Sequence, residues 1–211
     1  MATVSPFQAS GIRGFLHVPA NPARQALVLT HGAGGNCDAP VLVEAANAFC
    51  AAGLHVLRFD LPFRQRRPTG PPPRGSAVED RDALRNAVAE MRDMVSGGRI
   101  VLGGHSYGGR QGSMLAATAP AVADMLLLFS YPLHPPKKPA QLRTEHFPDL
   151  RIPVVFVHGT NDGFGSVEEL RAAVAAIPAP TTILPIAGAG HDLKRGRFDL
   201  SPVVAAVQEK L

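Results

Sequence analysis

Residues 100–109 read IVLGGHSYGG, and the fold turns on whether this stretch is a strand running into a helix through a sharp corner. Ile100–Gly103 is a short apolar run and Tyr107–Ala119 has helical character, so Gly104-His105-Ser106-Tyr107-Gly108 falls at the junction. In such a G-x-S-x-G corner the serine adopts a strained backbone, and the glycines two residues either side let the chain cross without a clash. The hydroxyl then stands beyond the carboxyl end of the sheet, at the positive end of the next helix. In a chain with 21 glycines the bare pattern can arise by chance; its strand–turn–helix placement gives it weight. Two other glycine-rich readings fail. A phosphate-binding loop needs Lys-Ser or Lys-Thr after its last glycine, where Gly109-Arg110 stands. The stretch His31–Cys37 has Cys37 where a dinucleotide fingerprint places its third glycine.

Away from the corner the same rhythm repeats. Strand-like runs occur at Ile12–Val18, Leu27–Thr30, His55–Phe59, Met125–Phe129, Val154–His158 and Thr182–Pro185. Several are unbroken apolar runs, as a strand buried on both faces requires. Between them lie helix-like segments at Val41–Ala51, Val78–Val95, Val167–Ala176 and Pro202–Leu211. In Val78–Val95 the spacing groups Val78, Leu84, Val88, Met91 and Val95 on one side. Ser166, followed by Glu168 and Glu169, reads as a helix N-cap with acids in the first turn. The first residues suit an antiparallel edge hairpin turning at Ser10-Gly11, and the prolines of Pro62–Gly75 predict a loop. Alternating strands and helices with short links predict a three-layer α/β/α sandwich around a mostly parallel sheet. At 211 residues the chain suits a single domain over 1–211, against roughly 100–200 residues per domain.

Composition narrows the function. The net charge is +4, partly concentrated in Arg64, Arg66, Arg67 and Arg74 and in Lys194, Arg195 and Arg197. No basic helix face or nucleic-acid reading motif accompanies it, so no nucleic-acid partner is expected, and local positive patches suit anionic small molecules better. Two cysteines, Cys37 and Cys50, provide no disulfide framework, which fits a reducing compartment. MATVSPFQAS lacks the basic start and apolar run of a signal peptide, and no apolar run approaches the ~20 residues of a membrane span. The expectation is a cytoplasmic protein without a membrane partner.

A serine nucleophile needs a base and a group to orient it, in the chain order Ser, acid, His. Asp162 follows the strand Val154–His158 in HGTNDGFG, and His191 follows Thr182–Pro185 in IAGAGHDL, which is that order. Histidine titrates near neutral pH, and the carboxylate fixes its tautomer. Taken singly, Asn-Asp-Gly is good turn chemistry and a loop histidine is ordinary; together with Ser106 the coincidence weakens. Asp60, ending another strand, is the reserve acid, and Asp192, adjacent to His191, is a poorer one. The turn His31-Gly32-Ala33-Gly34-Gly35 after Leu27–Thr30 suits an oxyanion hole made by the backbone N–H groups of Ala33 and Tyr107. Gly34 and His134 are expected at the substrate. Arg64, Arg66 and Arg67 follow the strand ending at Asp60, and Arg64 and Arg67 are candidates to bind an anionic group. Cys37 is close enough in sequence to be exposed at the site, without a catalytic role. No zinc-ligand spacing accompanies His134, so neither metal nor cofactor is expected.

With those residues in hand, the chain resembles the α/β-hydrolase superfamily over nearly its whole length, near its dienelactone-hydrolase-like members. It is most similar to the small group containing testis-expressed protein 30 and the hydrolase-like domain of the third subunit of the non-specific lethal complex. The similar stretches are THGAGGN (Thr30–Asn36), LRFDLPF with its following arginines, GGHSYGGR (Gly103–Arg110) and SYPLHPPKKPAQLR (Ser130–Arg143). The resemblance implies a minimal sandwich without a cap domain and supports Ser106, Asp162 and His191 as a triad. Dienelactone hydrolases use a cysteine nucleophile, and this chain has serine there. Two functions follow. One is a carboxylesterase-type serine hydrolase, monomeric or homodimeric, that cleaves a small ester or thioester, neutral or anionic, through an acyl-enzyme. The alternative is an interaction module on a hydrolase scaffold, since fold alone does not establish chemistry.

Overall fold

Successive residues of a strand point to opposite faces, and the central strands here are apolar on both. In β3 (Gln25–Thr30) Val28 enters one core, while Leu27 and Leu29 enter the other. The same division runs through β5 (Arg99–His105), β6 (Met125–Phe129) and β7 (Val154–Gly159): Leu102, Leu128 and Phe156 face one way, Val101, Leu127 and Val157 the other. Helices α3 (Ala77–Met94), α4 (Tyr107–Thr118) and α5 (Val167–Val174) cover the first face. Helices α1 (Pro40–Ala51) and α6 (Ser201–Gln208) cover the second. The result is a three-layer α/β/α sandwich with no cap among the described residues. The computed structural model describes residues 1–193 and 199–211; Lys194, Arg195 and Arg197 of the second basic cluster lie outside the described residues.

With β1 (Thr3–Ala9), β2 (Ile12–Val18), β4 (His55–Phe59) and β8 (Thr181–Ile186), the sheet order is β1-β2-β4-β3-β5-β6-β7-β8. Strands β3 to β8 run parallel, so their carboxyl ends share one edge. Strands β1 and β2 form the expected edge hairpin, turning at Ser10 and Gly11 with φ of 50° and 78°. Ser166 caps α5 through a reciprocal box: its side chain accepts the Glu169 N–H at 3.1 Å, and Glu169 accepts the Ser166 N–H at 2.7 Å. Among the described residues no helix is long and apolar enough to cross a membrane.

Two expectations need correction. The stretch Pro62–Gly75 is not loop throughout, because α2 (Pro62–Arg66) opens it. Proline at the first helical position brings the right φ and lacks an N–H that would go unpaired there anyway, and Leu61 before it is extended. Val78 does not join the buried side of α3; it is 62% exposed. The buried stripe is Asp80, Ala83, Leu84, Ala87, Val88 and Met91, and a helical repeat extended back from Leu84 reaches Asp80 rather than Val78. Asp80 occupies that slot because the Tyr107 hydroxyl donates to it at 2.7 Å.

Candidate active site

Local sterics are tight at the end of β5. Ser106 has φ 49° and ψ −113°, a region costly for any residue with a Cβ. Its N–H donates to the Phe129 carbonyl at 2.9 Å, and its carbonyl accepts from Arg110 N–H at 2.9 Å, so both neighbours hold the corner. A Cβ on Gly104 would lie 2.7 Å from Gly109 N, and one on Gly108 would lie 2.6 Å from His31 O. Only glycine lets the helix approach the strand this closely, which is the reason for the pattern.

The edge brings Ser106, His191 and Asp162 together. His191 Nε2 is 2.8 Å from Ser106 Oγ, and its Nδ1 lies 2.8 and 3.0 Å from the two Asp162 carboxylate oxygens. A carboxylate accepts, so Nδ1 carries the proton and Nε2 is left as the acceptor for the serine hydroxyl. Asp162 is held in turn by the Phe164 N–H, which donates to Oδ1 at 2.8 Å. The His191 loop fits tightly against β7, where a Cβ on Gly159 would stand 2.4 Å from Ala189 O.

The turn after β3 forms the facing wall. His31 donates through Nδ1 to the Gly32 carbonyl at 2.8 Å and accepts the Leu61 N–H at Nε2, 3.1 Å. Burial lowers its pKa, which keeps that acceptor available. A Cβ on Gly32 would come 3.3 Å from Ser106 Cβ, so the turn lies directly on the corner. The Gly108 N–H donates to His31 O at 3.1 Å. The N–H groups of Ala33 and Tyr107 have no acceptor among the described residues. A cavity of about 550 Å³ opens here, with Ala33, Gly34, Val41, Ser106, Phe164 and His191 among its lining residues.

Several expected residues have other tasks. Arg64 does not line the cavity; it is 3% exposed and donates to the carbonyls of Ala33 (2.9 Å), Gly35 (2.7 Å), Arg67 (3.0 Å) and Gly70 (2.8 Å). A guanidinium has five donors in a planar fork, and here they hold two loops together rather than await an anion. Arg66 pairs with Glu79 at 2.5 Å, and neither Arg66 nor Arg67 lines the cavity. His134 does not line it either; Nδ1 donates to Pro135 O at 2.8 Å and Nε2 is 3.4 Å from Glu169. Cys37 is buried rather than exposed to the cavity, and burial with nearby Asp60 and Asp38 pushes its thiol up to about 12, so it stays protonated near neutral pH. Asp60 accepts the Cys37 N–H at 2.7 Å and lies 3.7 Å from both Arg13 and His31, away from the His191 partnership. Asp192 lines the cavity.

Sequence reasoning missed Phe164, whose ring stacks on His191 at 4.1 Å and 30°. It also missed His158, which donates to Gly165 O at 2.8 Å and stands 3.8 Å from Asp162. The NDGF context signalled a turn, and nothing in it marked Phe164 as a platform. Among the described residues no group of three or more His, Cys, Asp or Glu could hold a metal ion.

Comparison with known proteins agrees with this architecture. Residues 23–201 match the family described as an alpha/beta hydrolase domain. The chain is similar to a dienelactone hydrolase from Anabaena variabilis, at 18% identity and a TM-score of 0.71, covering 100% of this chain and 96% of that one. It is similar to an α/β serine hydrolase without lid from Xanthomonas campestris, at 17% identity and a TM-score of 0.70 over 99% and 93% of the two chains. Est1E from Butyrivibrio proteoclasticus, solved with ferulic acid bound, shares 18% identity with a TM-score of 0.74 over 97% and 96%.

Proposed function

The chain belongs to the alpha/beta-hydrolase family, and from that premise we propose that it is a carboxylesterase-type serine hydrolase that cleaves a small ester or thioester through an acyl-enzyme. The observation that carries this reading is the continuous relay from Ser106 Oγ through His191 to the Asp162 carboxylate, each link about 2.8 Å. His191 Nε2 takes the hydroxyl proton as Oγ attacks the substrate carbonyl carbon, and Asp162 stabilises the imidazolium without itself taking the proton. The carbonyl oxygen, now an oxyanion, accepts from the N–H groups of Ala33 and Tyr107. Collapse breaks the bond to the alcohol or thiol, which leaves with the proton from Nε2. Water, deprotonated by His191, then attacks the acyl-serine, and collapse with return of the proton from Nε2 to Oγ frees the acid and Ser106.

The absence of a cap among the described residues and the walls formed by Ala33, Val41, Pro68 and Phe164 suit short apolar acyl groups. An anionic substrate loses its expected residue in Arg64, which is spent on carbonyls. The stretch Ser130–Arg143 supports placing the chain nearest the group containing testis-expressed protein 30. The test is labelling by a fluorophosphonate probe, with Ser106→Ala as the control. Labelling of the wild type and its loss in Ser106→Ala are expected, together with a fall in ester hydrolysis of at least ~10³-fold. A folded wild type that neither labels nor turns over esters would reject the enzyme in favour of an interaction module.

A further inference from the structure

One cavity-lining ring plays no part in the mechanism above. His105 precedes the nucleophile, and its Nε2 lies 2.8 Å from the backbone carbonyl of His191. A carbonyl only accepts, so Nε2 carries the proton and donates. The other side of the ring meets the glycine-rich turn: a Cβ on Gly32 would lie 2.9 Å from His105 Nδ1 and 3.5 Å from Cε1. The His105 and His191 rings are 5.3 Å apart. One side chain thus fills the space between the loop of the oxyanion donors and the loop of the base.

We propose that His105 is a positioning residue, tying the backbone of the base loop to the nucleophile's own neighbour so that His191 stays in register with Ser106 through both halves of the reaction. The inference rests on reading His191 as the base. Its logic is that the Oγ–Nε2 hydrogen bond cannot survive acylation, because Oγ then has no proton to give. The bond from His105 to the carbonyl of His191 involves no reacting atom and persists through the acyl-enzyme. It keeps Nε2 where it must be to activate water. Burial lowers His105 to about 4, so the ring stays neutral beside the imidazolium that forms during turnover.

The experiment compares His105→Leu with His105→Gln in the full chain, using p-nitrophenyl acetate hydrolysis, fluorophosphonate labelling and thermal melting. Glutamine can place an amide N–H near the position of Nε2; leucine cannot donate. The Leu variant should lose about ten-fold or more in kcat with KM within about two-fold, and the Gln variant should recover to within about three-fold of wild type. The two should melt within a few degrees of each other, which separates positioning from folding. Equal kcat in both variants, or a loss that tracks melting temperature, would overturn the inference, as would a rise in KM alone, which would make the ring a substrate contact. Should the Leu variant not fold, Gln against Asn asks the same question, because the Asn donor falls short of the carbonyl. An inert wild type would remove the triad reading and this inference together; a labelled wild type with indistinguishable variants removes this inference alone.

Discussion

The serine corner at residues 103–110 and the proline-rich stretch at residues 61–75 both hold the His31–Gly35 turn, by opposite means. The corner does so through missing atoms. Gly104 and Gly108 let backbone meet backbone, and the Gly108 N–H reaches His31 O at 3.1 Å. The proline-rich stretch uses one long, charged side chain, with Arg64 reaching 29 to 31 residues back to Gly35 and Ala33. The glycines that make contacts of the first kind lie within a few residues of one another and leave a motif, although Gly108 meets a carbonyl far away in the chain. Contacts of the second kind join distant carbonyls and leave only an arginine that could serve many purposes.

The comparison breaks most readily at the glycines. Gly108→Ala would put a Cβ 2.6 Å from His31 O and Thr30 Cγ2, and Gly104→Ala would put one 2.7 Å from Gly109 N. Backbone cannot give way there, so a destabilisation of ~3 kcal/mol or more and loss of probe labelling are expected. Gly34→Ala is the control, since its Cβ would meet nothing within 4 Å, and it should fold as wild type. Melting temperatures and soluble yield of the three variants check this. A Gly108→Ala protein as stable as Gly34→Ala would mean the corner is not held by close approach.

Arg64→Met comes next. It removes the donor from four part-buried carbonyls and loosens the turn that carries Ala33, so a loss on the order of 2 kcal/mol and a fall in kcat are expected. Arg64→Lys should recover only part of both, because an ammonium is a point donor without the planar fork. Denaturant midpoints and ester kinetics of the two variants decide it.

The same contrast explains what was legible in the sequence. The parallel sheet, the edge hairpin, the Ser166 cap and the placement of Ser106, Asp162 and His191 each after its own strand all rest on periodicity or on motifs of a few residues. Helix α2 was hidden because prolines crowd the stretch around it, and a proline is a breaker everywhere except at the first helical position, where Pro62 sits. The tasks of Arg64, His134 and Cys37 were hidden because burial and partners 23 to 35 residues away set them. Phe164 was illegible for a related reason: stacking on His191 at 4.1 Å depends on how two loops meet, which no local pattern records.

Acid sharpens the contrast more gently. His146, whose Nε2 is 2.8 Å from Ser113 Oγ on α4, is lowered to about 4 by burial and by nearby Arg110, against 6.5 for a free histidine. His17 and His105 are lowered to about 4 as well, chiefly by burial. Between about 6.5 and 4 the unfolded chain therefore binds more protons than the folded one. Their contribution to stability is complete above about 6.5 and is lost as pH falls through about 4. His146→Gln should flatten that slope, whereas Arg64→Lys should lower the whole curve and leave its slope unchanged. Thermal melts at several pH values across the window measure both.

The smallest expected effect tests the proline-rich stretch at one of its exposed residues. Arg67 does not line the cavity, and its Nη2 lies 3.3 Å from where a Cβ on Gly70 would sit, against its own loop. If the stretch serves the turn through Arg64 alone, Arg67→Ala changes kcat/KM by less than about two-fold, equally for neutral and anionic esters, since an exposed charge outside the site contributes little. A selective rise in KM for anionic esters would show that the stretch reaches the substrate directly. It would then be a recognition element as well as a clamp, and a charge-screening series in salt should abolish the selectivity while leaving the loss in Arg64→Met intact.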